Sequence, residues 1–158
     1  MTFATADLWD ANEDRLQVAE PIFRDYGGHR AFWGPVRTLK CFEDNSLVRQ
    51  ALGYPGDGAV LVVDAGGSLR CAMLGDQLAQ LAVTNGWAGV VMYGLIRDSE
   101  AIGEMALGVK AMGTLPVKSV KRGEGQLDVP VNFAGVTFTP GNWLYADADG
   151  IVVAESKL

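Results

Sequence analysis

The chain has 158 residues, 49% of them hydrophobic, with a formal net charge of -6 and a pI near 4.7. That length supports one domain, residues 1–158, with a substantial core, and the apolar content excludes a disordered chain. An acidic surface without a dense Lys/Arg stripe and interleaved aromatics argues against direct nucleic-acid binding. The longest mainly apolar stretch, Trp87 to Ile96, is too short to span a membrane and ends in charge. Met1 to Asp7 carries neither a basic region nor an apolar signal core, so the expected location is the cytoplasm.

In chain order, Thr5 to Asp10 predicts a short capped helix, and Arg15 to Glu20 runs into Pro21. Ala31 to Phe42 reads as a strand starting near Pro35. Asp44 or Asn45 caps a helix carrying Leu47, Val48, Ala51 and Leu52, which Gly53 to Gly58 breaks. Val60 to Val63, a continuous apolar run, predicts a strand covered on both faces. A helix over 76–85, stopped at Gly86, and a strand over 88–94 complete a strand–helix–strand unit. A short helix over Glu100 to Met105 and a strand over Leu107 to Met112 follow.

Beyond Pro116 the pattern turns mostly β. A loop is expected over 123–126, then strands over 129–133 and 136–138 joined at Ala134-Gly135. Two further strands, 143–147 and 151–154, flank the Asp149-Gly150 turn. The expected architecture is a single α/β domain with a β-rich C-terminal layer.

Most catalytic chemistries find no support. Cys41 and Cys71 match no metal or redox spacing and are expected to pack as small apolar residues. With His29 the only histidine, a zinc centre and a Ser or Cys triad both lack their parts. Asp64-Ala65-Gly66-Gly67-Ser68 lacks the third glycine of a dinucleotide loop. It also has Ser68 where the Asp-x-Gly-x-Gly turn of adenosylmethionine-dependent methyltransferases ends in glycine. It reads as a tight turn whose backbone N–H groups could meet a small anion. Lys118, Lys121 and Arg122 read as a solvated basic loop, and Asp147 and Asp149 as solvated turn carboxylates.

One stretch stands apart, from Gly75-Asp76-Gln77-Leu78 through a helix and a strand to Arg97-Asp98. A helix of about twelve residues is ~18 Å long, and the strand running back is of similar length. Asp76 and the Arg97-Asp98 pair therefore return to one edge of the fold. Taken singly, Asp76 is explained as a helix-start residue, and Arg97-Asp98 as an ion pair or a cap. Together they supply a hard oxygen ligand (Asp98), a second carboxylate to orient metal-bound water (Asp76) and a guanidinium (Arg97) for a carboxylate or enolate. Backbone N–H groups of residues 75–78 could hold a substrate carboxylate at the helix N-terminus. These are parts for metal-assisted chemistry beside an α-keto acid.

The chain resembles the family named for the regulator of ribonuclease activity A. That family is similar to class II 4-hydroxy-4-methyl-2-oxoglutarate aldolases and was once labelled demethylmenaquinone methyltransferase. The resemblance rests on Phe23 to Gly28, Cys41 to Asn45, Val60 to Ser68, Gly75-Asp76, Gly86-Trp87, Arg97-Asp98, Gly135 to Phe138 and Tyr145 to Asp147. It implies a swivelling β/β/α sandwich and a homotrimer with sites near subunit boundaries. It further implies that Gly75, Asp76, Gln77 and Leu78 bind substrate, that Arg97 contacts it, and that Asp98 holds Mg2+ or Mn2+. Asp76 matches the carboxylate that orients metal-bound water. In the longer aldolases a neighbouring subunit can add an acidic residue.

Two functions are therefore expected. One is a metal-dependent lyase on small α-keto acids, with oxaloacetate decarboxylation as a second reaction. The other is a non-catalytic regulator that docks on and masks an endoribonuclease through its acidic exterior.

Overall fold

The computed structural model describes all residues, 1–158. Helix α1 (Thr5–Asn12) and a 3-10 turn lead into two short strands, β1 (Leu16–Val18) and β2 (Arg24–Asp25). The middle of the chain forms β3 (Phe32–Lys40), α2 (Ser46–Leu52), β4 (Val60–Asp64), β5 (Ala72–Leu74), α3 (Asp76–Thr84), β6 (Gly89–Ile96), α4 (Ser99–Gly103) and β7 (Gly108–Thr114). The last third is β throughout: β8 (Gln126–Leu127), β9 (Val131–Phe133), β10 (Val136–Phe138), β11 (Trp143–Asp147) and β12 (Gly150–Ala154).

The order β1-β12-β11-β3-β4-β6-β7-β2 makes one large sheet, with β5 beside β6 and β8 beside β3. Its centre, β3-β4-β6-β7, is parallel. Val60 to Val63 are each at most 1% exposed, and alternate residues enter different cores. Leu61 and Val63 face the side carrying α2, α3 and α4, while Val60 and Val62 face the C-terminal strands. A polar side chain could serve neither face, which is why the run is uninterrupted. Each such burial contributes about 1.5–3 kcal/mol. The layers are helices, a parallel sheet and a β-rich cover. The expected β/β/α architecture is the one observed.

The long strand β3 joins two layers. Phe32 to Pro35 pair antiparallel with β11, and Val36 to Lys40 pair parallel with β4. The strand starts at Phe32, three residues before the expected start near Pro35. Pro35 is tolerated because it faces Trp143, next to the hydrogen-bonded pair in which Val36 N–H donates to Asn142. Its missing N–H thus falls at a non-bonded position. At Gly34 the backbone passes so close to the Gly58 carbonyl that a Cβ would sit 2.1 Å from its oxygen.

Other expectations shift. Strands β1, β2 and β5 are too short to give a periodicity, and β8 replaces the end of the loop expected over 123–126. Helix α1 forms, with Ala4 at its cap position offering no side-chain acceptor, so that its cap comes from a residue remote in sequence. Ala134 and Gly135 both adopt positive φ (52° and 72°), the conformation a two-residue hairpin between β9 and β10 requires. Asp147 is not a solvated turn residue. It accepts the Thr5 N–H at 2.7 Å and the Thr5 hydroxyl at 2.6 Å, pinning α1 to the C-terminal layer. No helix is long and apolar enough to cross a membrane.

Candidate active site

The two ends of the α3–β6 unit meet as expected. Asp98 Oδ2 accepts the backbone N–H of Asp76 at 3.0 Å. Arg97 N–H donates to the Leu74 carbonyl at 2.9 Å, tying the end of β6 to β5 just before Gly75. Gly75 is needed there for space, since a Cβ would lie 2.8 Å from Asp98 Oδ2. The carboxylate of Asp98 therefore caps α3 across the chain, while Gly75, at the cap position, offers no side chain.

Arg97 and Asp98 form no ion pair with each other, and Asp98 does not cap the helix that follows it ahead of Glu100. The molecule's ion pairs are Arg37–Asp128, Arg70–Glu43 and Lys110–Asp25, so Arg97 and Asp98 are not bound to each other. Asp98 occupies the cap position of α4 without capping it, in a left-handed conformation (φ 57°, ψ 39°). A non-glycine residue there is strained, and such strain gathers at functional sites. Of the first-turn residues of α3, Gln77 is exposed, while Leu78 turns its side chain into the core and can offer only its N–H. Helix geometry leaves the N–H groups of Gln77 and Leu78 without intrahelical acceptors.

Around this edge lies a cleft of about 130 Å³. Its walls add residues that no sequence pattern joins: Asn45, Arg49, Lys118, Ser119 and Lys121. The exposed lysines of the basic loop, Lys118 and Lys121, thus line the same cleft as Asp76 and Asp98. Four cations stand against two carboxylates in a chain whose net charge is -6. A larger depression of about 420 Å³ beside β1 holds only Arg15 against Asp14 and Glu155. Chemistry, not size, selects the smaller cleft.

Asp44 holds the loop in place. Its Oδ1 accepts the Ser46 N–H (2.9 Å) and hydroxyl (2.6 Å), and its Oδ2 accepts the N–H groups of Arg122 (2.8 Å) and Glu124 (3.1 Å). Burial alone would raise its pKa, but these donors outweigh burial and bring it down to about 2. Bridges from Lys118 to Ala72 and from Val120 to Asp44 fix the backbone between them.

The remaining candidates fall away. Burial, with nearby Asp44 and Asp64, pushes the Cys41 thiol up to about 12, and burial raises Cys71 as well, so neither is a thiolate nucleophile. In the glycine turn the Gly66 N–H donates to Asp64 Oδ1 at 2.9 Å, and the Gly67 N–H to the Tyr93 carbonyl at 3.2 Å. Those donors are used internally, so the expected small-anion site is not there.

No cluster of three or more His, Cys, Asp or Glu forms anywhere in the chain. The cleft offers two carboxylates: Asp76, with no hydrogen bond or ion pair to its side chain, and Asp98, with one oxygen engaged. Such a set fits a hard cation like Mg2+ or Mn2+, which keeps several waters and takes one or two carboxylates plus substrate oxygens. It does not fit zinc.

A family model described as RraA-like, Aldolase/RraA, matches residues 5–153. The chain belongs to the RraA-like family. Among similar proteins, one from Aromatoleum aromaticum, provisionally named a 4-hydroxy-4-methyl-2-oxoglutarate aldolase, is 63% identical over 158 residues, covering 100% of this chain and 99% of that protein. One from Alkalilimnicola ehrlichii with the same name is 59% identical, covering 100% and 98%. A crystal structure from Geobacillus kaustophilus, described as an S-adenosylmethionine:2-dimethylmenaquinone methyltransferase, is 55% identical with a TM-score of 0.97, covering 99% and 97% of the two chains. The RNA-processing inhibitor RraA of Thermus thermophilus is 44% identical with a TM-score of 0.96, covering 100% and 96%. RraA-like proteins thus carry three functional names on one fold, and the site has to decide between them.

Proposed function

We propose that this RraA-like protein is a lyase that cleaves 4-hydroxy-4-methyl-2-oxoglutarate to two molecules of pyruvate, with decarboxylation of oxaloacetate as a second reaction of the same site. The observation that carries the proposal is the meeting of Asp76, Arg97 and Asp98, unpaired with one another as ions, in a cationic cleft. Both substrates are dianions, and an excess of cations in a narrow cleft suits them. Arg97 would hold the carboxylate beside the keto group and steady the negative charge that develops as the carbon–carbon bond breaks. The N–H groups of Gln77 and Leu78, with Lys118 and Lys121, would hold the distal carboxylate. Asp76, free of partners, would accept the proton released from the hydroxyl. Asp98, with Asp76 beside it, would hold Mg2+ or Mn2+, which when bound supplies Lewis-acid polarisation of the keto oxygen.

The proposal extends to a cytoplasmic homotrimer with sites near subunit boundaries. Pyruvate release from both substrates should require added Mg2+ or Mn2+, stop with chelator and fail in Asp98→Ala. Release unaffected by all three treatments would refute it.

A second reading, masking of an endoribonuclease, is favoured by the acidic exterior and by the name of the Thermus relative. It needs no metal. Inhibition of the ribonuclease that survives Asp98→Ala but disappears when exposed acidic residues are neutralised would support that role.

A further inference from the structure

Two polar atoms in the cleft have no use in the scheme above. Asn45 Oδ1 and Ser119 Oγ are buried and make no hydrogen bond within the protein, and both residues line the cleft. A buried polar group left unpaired costs about 1–3 kcal/mol, so such groups call for an explanation. Ser119 is 6% exposed, and its backbone is fixed between the bridges made by Lys118 and Val120.

Asn45 stands at the cap position of α2, where an asparagine side chain would ordinarily bond the helix N–H groups. It makes no such bond. Its amide instead turns towards β5, with Nδ2 donating to the Met73 carbonyl at 3.5 Å. That contact orients the amide and leaves Oδ1 as a bare acceptor.

An acceptor cannot bind a carboxylate or a keto oxygen, since neither has a proton to give. On a 4-hydroxy-2-oxo diacid the only donor is the 4-hydroxyl. We propose that Asn45 and Ser119 seat that hydroxyl, so that the cleft selects aldols over 2-oxo diacids that lack it. The inference rests on the lyase reading above and specifies its substrate class.

The seat also serves the chemistry. In retro-aldol cleavage the hydroxyl proton passes to the Asp76 carboxylate, and the C4–O bond becomes a carbonyl. The C3–C4 electron pair passes to C3 to give the pyruvate enolate, which takes a proton at C3. Asn45 Oδ1 accepts the O–H of the intact substrate and Ser119 Oγ–H holds its oxygen, and the O–H then turns from Asn45 to Asp76 in the same cleft as the bond breaks. Oxaloacetate loses carbon dioxide without needing this contact.

The test is Ser119→Ala, which removes one atom, and Asn45→Ala, each assayed on both substrates and checked for thermal stability. We expect kcat/KM for 4-hydroxy-4-methyl-2-oxoglutarate to fall at least about tenfold further than that for oxaloacetate, the value of one lost hydrogen bond. Equal losses on both substrates, or none, in folded variants would overturn the proposal. Should the wild-type protein turn over neither substrate, the lyase reading fails separately, and titration calorimetry decides the seat. The wild type should then bind 4-hydroxy-4-methyl-2-oxoglutarate about tenfold more tightly than 4-methyl-2-oxoglutarate, with the preference lost in Ser119→Ala. Equal wild-type affinities would overturn the proposal.

Discussion

Asp98 combines a strained backbone with a side chain that serves another element. Its left-handed φ of 57° costs energy that a glycine would not incur, yet its carboxylate reaches the Asp76 N–H. Asparagine tolerates the same conformation and can keep the hydrogen bond, so Asp98→Asn isolates the charge. We expect Asp98→Asn to retain the wild-type melting temperature within a few degrees while kcat/KM drops by about 10³-fold, as measured by calorimetry and pyruvate release. Gly75→Ala should act differently. Its Cβ would meet Asp98 Oδ2 at 2.8 Å and displace the carboxylate, and a misplacement of about 1 Å costs on the order of 100-fold in rate. Steady-state kinetics on folded Gly75→Ala would test this, and full activity would show that the position of Asp98 is not critical. At this scale much was legible in the sequence. Asp76, Arg97 and Asp98 are separated by one helix and one strand of similar length, so their meeting follows from helix rise and strand rise alone. The left-handed backbone of Asp98 was not legible, since nothing local requires it.

At the scale of elements, the site depends on a loop with no secondary structure of its own. The segment from Lys118 to Glu124 is held by Asp44, by two single bridges and by the Gly123 N–H bond to the Ser46 hydroxyl. These contacts are remote in sequence and follow no period, which is why Lys118, Lys121 and Arg122 read as a solvated loop and Ser119 carried no signal. The two adjoining bridge contacts could be found only from the fold. Asp44→Ala leaves the N–H groups of Ser46, Arg122 and Glu124 without their acceptor. We expect a loss of about 2–3 kcal/mol by denaturant titration, and a KM that rises more than kcat falls.

The same carboxylate contributes to acid sensitivity. Its folded pKa is about 2 against an ordinary 3.8, so its stabilisation is complete above the ordinary value and is lost as pH falls from 3.8 towards 2. Asp147, also held down by bonds from Thr5 that outweigh its burial, acts in the same direction. Asp44→Ala should therefore flatten the stability profile in that window. An unchanged slope would remove Asp44 from the acid transition.

For the whole molecule, the contrast is between an acidic exterior and a cationic cleft. With a net charge of -6 overall and four cations around two carboxylates in the cleft, substrate attraction is local and open to screening. Raising salt from about 0.05 M to 0.5 M should increase KM for a dianionic substrate several-fold while kcat holds. The layer plan was readable because Val60 to Val63 could only be a strand buried on both faces. The passage of β3 from one layer to the next at Pro35 was not, because it depends on which neighbour each half of the strand finds.

The central claim is that Asp76, Arg97 and Asp98 form a working lyase centre. Its most direct test counts pyruvate formed per 4-hydroxy-4-methyl-2-oxoglutarate consumed, in the wild type and in Asp98→Asn, with Mg2+ or Mn2+ present. The account expects about two pyruvates per substrate in the wild type and near-background release in the variant. Equal release by both proteins, or none by folded wild-type protein supplied with metal, would contradict it.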